Sequence, residues 1–96
     1  MKNLILGLLV AVPISLQWQP LSSNQRGFNV YWDKGLGTWE KLSDVGNNIT
    51  YKGTLELDPT KKTCFAVTAY NELGETSRST SICKSKPAAP IGVTEN

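Results

Sequence analysis

The chain contains no histidine and a single methionine. Without an imidazole it lacks the usual general base at neutral pH, the common nucleophilic triads and the most frequent metal ligand. Cysteine is limited to Cys64 and Cys83, too few to build a zinc site without other strong ligands. Charge of one sign does not accumulate. Ten Lys and Arg stand against eight Asp and Glu, scattered along the chain, so there is no basic stripe of the kind nucleic acid requires and no block of like charge. No apolar run approaches the roughly 20 residues needed to cross a bilayer. The Gly35/Gly37 turn does not lead into a helix, which excludes a phosphate cradle there. Together these absences leave no nucleophile–base pair, no cofactor motif and no metal site, and a non-enzymatic role is expected.

What is present is β-alternation. Ninety-six residues make one domain with a modest core. Glycine, proline and polar turns recur at the spacing of an all-β sandwich. Ile14, Leu16 and Trp18 alternate with Ser15 and Gln17, and Phe28, Val30 and Trp32 alternate with Asn29, Tyr31 and Asp33. Residues 39–45 form a weaker strand. Ile49, Tyr51, Leu55 and Leu57 mark the next, with Gly53 read as a bulge or bend. No helix is required anywhere, and no long stretch outside the N-terminal apolar run carries a 3.6-residue period.

The last hairpin is the most informative segment. Phe65, Val67 and Ala69 face one way, so Cys64, Ala66 and Thr68 face the other. On the final strand Ile82 faces the core and Cys83 faces out. Folding the chain about residues 72–75 sets Cys64 opposite Cys83 on the outer face, within disulfide reach. A bond there implies an oxidising compartment.

Two readings of residues 1–11 stay open. Lys2 followed by Leu4–Val12 has the layout of a secretory signal, with a cut after Ala11 although no A-x-A motif is present. The other reading is a buried first strand. Residues 12–85 are then the domain and residues 86–96 a proline-rich tail.

The segments Ser15-Leu16-Gln17-Trp18, Gly27–Trp32, Asp44-Val45-Gly46-Asn47, Leu57-x-Pro59 and Phe65–Asn71 resemble a fibronectin type III domain. The resemblance spans residues 13–85 and is nearer to the small single-domain versions of bacterial and phage proteins. It implies an immunoglobulin-like, two-sheet antiparallel sandwich. It also implies a core of Trp18, Phe28, Val30, Phe65 and Val67, to which strand alternation adds Leu16, Leu57 and Ile82. Thr63 stands where such domains usually carry the tyrosine of the tyrosine corner, so the 57–62 corner is expected to be looser. Pro87-Ala88-Ala89-Pro90-Ile91-Gly92-Val93-Thr94 looks like the opening of a further such domain, where Pro-x-x-Pro leads into the first strand.

Asp33, Glu40, Asp44, Glu72 and Glu75 fall in turns and on edges and read as solvated charge. Asn48-Ile49-Thr50 fits the glycosylation pattern, relevant only in a eukaryotic secretory pathway. The expected role is binding or adhesion by loops 19–26 and 71–76 on a secreted, periplasmic or virion-surface protein. The alternative is a structural subunit, a decoration protein or filament protomer, that donates its tail as a strand. Tyr31, Glu72, Leu73, Ile91 and Val93 are the candidate partner contacts, and the partner is protein or surface glycan.

Overall fold

The computed structural model describes residues 8–95. Regular structure among them is entirely β: β1 (Val10–Gln17), β2 (Gly27–Asp33), β3 (Glu40–Gly46), β4 (Thr50–Leu57), β5 (Thr63–Asn71), β6 (Gly74–Glu75) and β7 (Ile82–Lys84). All pairings are antiparallel. β1 pairs with β4 alone. In the second sheet β3, β2, β5 and β6 lie side by side, and β7 joins β5 further along.

Alternation decides how β1 sits. Ile14 is buried and Val12 and Leu16 pack beside it, while Ala11, Pro13, Ser15 and Gln17 are exposed. The Trp18 amide donates to the Ile49 carbonyl, continuing the β1–β4 register. Backbone groups alternate sides along an antiparallel strand. The even residues of β1 therefore bond to β4, and the odd residues direct their backbone groups away from it. Pro13 falls on the outward side, where its missing N–H costs no ladder bond. Among the described residues β1 has no partner on that side.

The core lies between the sheets. Ile14, Leu57 and Phe65 form its buried centre, with Trp32, Leu42, Tyr51 and Leu55 packed around it. Phe65 and Val30 are fully buried. Trp32 stacks on Phe65 with centroids 6.5 Å apart, and Trp18 meets Phe28 edge-on at 5.7 Å. Geometries of this kind add about 1 kcal/mol beyond area burial. Leu16, Trp18 and Val67 are only partly buried.

Cys64 and Cys83 form a disulfide across the β5–β7 pair, on the outer face. The hairpin is not one continuous ladder, however. Extending the Tyr70↔Glu75 pairing would bring Ser81 opposite Cys64, whereas the partner is Cys83. Two extra residues are taken up between β6 and β7. There the Thr76 and Ser79 hydroxyls accept from the Ala69 and Val67 amides in place of backbone carbonyls.

Three expectations are corrected. Ile82, assigned to the core, is 63% exposed. Its parity is inward, opposite to Cys83, but among the described residues no strand closes that side of the sandwich. Gly53 is not a bulge. It pairs regularly with Ile14, and the Tyr51 ring lies over it, where a Cβ would come within 2.6 Å of the Tyr51 hydroxyl. The 57–62 corner is closed without a tyrosine. The Asp58 carboxylate accepts from the Thr60 amide and hydroxyl, and the Asp58 carbonyl from the Lys61 amide. Those bonds hold the Asp58 carboxyl below its ordinary pKa.

A buried first strand over residues 3–12 does not match the described part of that stretch. Leu8 and Leu9 are exposed and Val10 is 46% exposed. Residues 1–7 lie outside the described residues. β1 begins at Val10, so a boundary after Ala11 would fall inside the strand.

A candidate recognition pole

The strand directions gather three connections at one end of the sandwich: residues 18–26 between β1 and β2, residues 47–49 between β3 and β4, and the β5–β6 turn. Backbone and side chains tie them together. The Arg26 amide donates to the Tyr70 carbonyl at 2.7 Å, Asn71 Nδ2 to the Asn24 carbonyl at 3.3 Å, and Gln25 Nε2 to Asn47 Oδ1 at 3.4 Å. The β5–β6 turn is shaped by Asn71, whose Oδ1 accepts from the Leu73 amide, and by Gly74 at φ 145°, a conformation that suits glycine. Between the first and third connections lies an open depression of about 280 Å³, lined by Ser22, Asn24, Gln25, Asn71, Leu73 and Thr76 among others.

Two leucines project from this pole. Leu73 is 91% exposed at the tip of the β5–β6 turn, and Leu21 is fully exposed in the first loop. Leu73 was a candidate contact from sequence; Leu21 was missed. Its signal was there, one large apolar residue between Pro20 and the polar run Ser22–Arg26. Glu72 is exposed in the same turn.

The outer face of the larger sheet is organised by two carboxylates. Glu75 Oε2 accepts from Asn29 Nδ2 at 3.1 Å, from the Tyr31 hydroxyl at 2.7 Å and from the Thr68 hydroxyl. Three donors on one oxygen stabilise the charged form and pull the Glu75 pKa down to about 2. The same bond raises that of Tyr31. Tyr31, a candidate contact, thus has its hydroxyl committed within the sheet and clamps β6 to β2. Beside it the Tyr70 hydroxyl bonds both oxygens of Asp44, at 2.8 and 2.9 Å. Asp44 is held low chiefly by the Gly46 amide and then by Tyr70, whose own pKa rises. Tyr70 reaches Asp44 because Gly27, opposite it in the register, has no side chain: a Cβ there would lie 2.4 Å from the Tyr70 oxygen.

Ile91 and Val93 are fully exposed in the tail, distant in sequence from this pole. The structure therefore separates the candidate contacts into three places: the loop pole, the outer sheet face and the tail. Among the described residues no three His, Cys, Asp or Glu side chains are grouped to hold a metal ion, and no helix is long and apolar enough to cross a membrane.

Two antiparallel sheets packed face to face, with their connections gathered at the ends, define an immunoglobulin-like module. Comparison with solved structures narrows the class. The sixth fibronectin type III domain of human fibronectin type III domain containing protein 3 is similar, with a TM-score of 0.64 and 15% identity over 93% of this chain and 90% of that one. A fibronectin type III domain derived from the human KIAA0970 protein gives a TM-score of 0.58 and 16% identity, over 94% of this chain and 82% of that one. The chain has the fibronectin type III fold. No family model matches it, and no curated protein does.

Proposed function

We propose that this chain is a non-catalytic binding module whose ligand surface is the pole formed by loops 19–26 and 71–76, carried on an exported protein or a particle surface. The observation that carries the reading is the exposure of Leu21 and Leu73, two large apolar side chains left in solvent on two loops of one pole that hydrogen bonds join. Scattered single leucines on a surface need no explanation; two on loops joined by a hydrogen bond, with Leu73 lining the depression between those loops, have the composition of a small protein- or glycan-binding patch. A patch of this size gives modest affinity per copy, so function would depend on many copies acting together. The disulfide suits an extracellular setting.

The test is a tetravalent display of the protein on glycan and matrix-protein arrays, wild type against Leu21→Asp/Leu73→Asp. Both positions are exposed, so thermal unfolding should not change. Array signal lost in the variant supports the reading, and equal signal from both overturns it.

A second reading, a structural subunit of an assembly, is favoured by a separate observation: the side of β1 left unpaired among the described residues, together with an exposed tail in which Ile91 and Val93 alternate with Gly92 and Thr94.

A further inference from the structure

We propose that the open side of β1 receives residues 90–94 of a second copy of this chain as an added antiparallel strand; the proposal deepens the assembly reading above and rests on it. The receiving site is a seam between β1 and the β7 side of the sandwich. Its upper part is a hollow of about 410 Å³ whose lining includes Leu16, Trp18, Phe65, Val67 and Ile82. The lower part is a second hollow of about 250 Å³, lined by Val10, Val12, Leu57, Thr63 and Lys84–Lys86. Core side chains form the floor of both. Ile82, turned inward yet 63% exposed, is what an uncovered seam leaves behind. The Trp18 indole N–H, on the same seam, is buried without an acceptor among the described residues. The rim supplies backbone groups. Ala11, Ser15 and Gln17 point N–H outward, and those residues and Pro13 point C=O outward, as the β1–β4 register requires.

The tail carries the complementary pattern. Ile91 and Val93 are two residues apart, so in an extended strand both enter the seam, and both are fully solvated as the chain stands. Gly92 and Thr94 then turn their backbone N–H and C=O toward the rim, and Pro90 offers its C=O. The tail cannot fill this place in its own molecule. It leaves β7 beside Val10, where Lys84–Lys86 share a hollow with the start of β1. Lying antiparallel to β1 means entering from the Gln17 end, about 26 Å away, and coming back. Reaching that end takes about eight extended residues, and only residues 85–89 lie between β7 and Pro90. A second copy can enter from the correct end. Such a contact is heterologous and propagates head to tail.

The experiment uses the full chain and sedimentation velocity at rising concentration. Ile91→Asp/Val93→Asp removes the donor from exposed positions. Ser15→Pro removes one outward N–H from the rim while leaving the β1–β4 ladder alone, and Gln17→Pro repeats the block should Ser15→Pro fail to fold. Wild type is expected to form a concentration-dependent series of oligomers, and each variant alone to stay monomeric. An equimolar mixture of the donor-less and the rim-blocked chains should stop at a dimer, because only one productive contact remains. Assembly that persists in either variant overturns strand donation but leaves the subunit reading standing. A wild type that stays monomeric to millimolar concentration overturns both.

Discussion

Replacing Cys64 and Cys83 by serine tests how the edge of the larger sheet is held. β7 contributes three pairs to β5, and all three of its residues are exposed. Its contact with the core is weak, since Ile82 is largely in solvent. The covalent link is therefore the main restraint on this strand. It joins positions 19 residues apart, for which loop-closure entropy gives about 3 kcal/mol. A domain of this size has about 5–10 kcal/mol in total, so the double serine variant should fold but lose a large share of its stability. Midpoints in urea, at unchanged slope, should fall by the amount that corresponds to about 3 kcal/mol. The melting temperature should drop by about 12–24 °C. The loss should also be local in its dynamics. Amides of Thr63, Phe65, Ile82 and Lys84, which face across the β5–β7 pair, should exchange with solvent well before those of the β2–β5 ladder, because β7 can leave without opening the core. A double variant within about 1 kcal/mol of wild type, with protection at Thr63 and Phe65 unchanged, would refute the reasoning, because packing rather than the cross-link would then be holding β7.

Two further predictions concern the outer sheet face. Glu75→Gln should destabilise the domain by about 1 kcal/mol at neutral pH, since the exposed setting screens most of what the pKa displacement would give if buried. The folded-state pKa is depressed to about 2, so the contribution is complete above pH 4.5 and lost as the pH falls toward 2; the gap between wild type and variant, followed by thermal unfolding, should close over that window, and a gap independent of pH contradicts the assignment. Gly27→Ala should expel the Tyr70 ring from its path to Asp44, lower the melting temperature and return the tyrosine's raised pKa toward its ordinary value; an unshifted Tyr70 titration in the variant would show that the ring has another route.

What could be read from the sequence was governed by local geometry. Period-two alternation around Phe28-Asn29-Val30 and Phe65-Ala66-Val67 is a property of the backbone, so it indicated strands and their faces before any partner was known. The Cys64–Cys83 juxtaposition followed from the same parity, yet the hairpin register near its turn did not. The two residues absorbed between β6 and β7 depend on Thr76 and Ser79 hydroxyls standing in for carbonyls, and hydroxyl-rich runs do not announce that in sequence. Gly53 was misread for a related reason. A glycine in a strand signals either a bulge or the close approach of another group, and only the fold shows that the Tyr51 ring is that group. The loop pole was half legible. Leu73 stood out inside a turn, while the joining of residues 18–26 to Asn71 is a contact between distant segments.

Ile82 carries the larger lesson. Parity states which way a side chain points, and burial additionally requires something on the far side. For Phe65 that is β1 and β4 across the core; for Ile82 it would be a strand along the outward rim of β1. The same opening accounts for the exposure of Val10, the partial burial of Leu16 and Val67, and the buried indole N–H of Trp18 that has no acceptor among the described residues. These residues line the two hollows between β1 and the β7 side, and a single added strand with two inward apolar side chains would cover the upper one. Ile82 therefore gives a direct readout: in a mixture of donor-less and rim-blocked chains its side-chain NMR signals should move to a buried environment in the rim-competent copy alone, and identical signals in mixed and separate samples would mean that nothing seats against it.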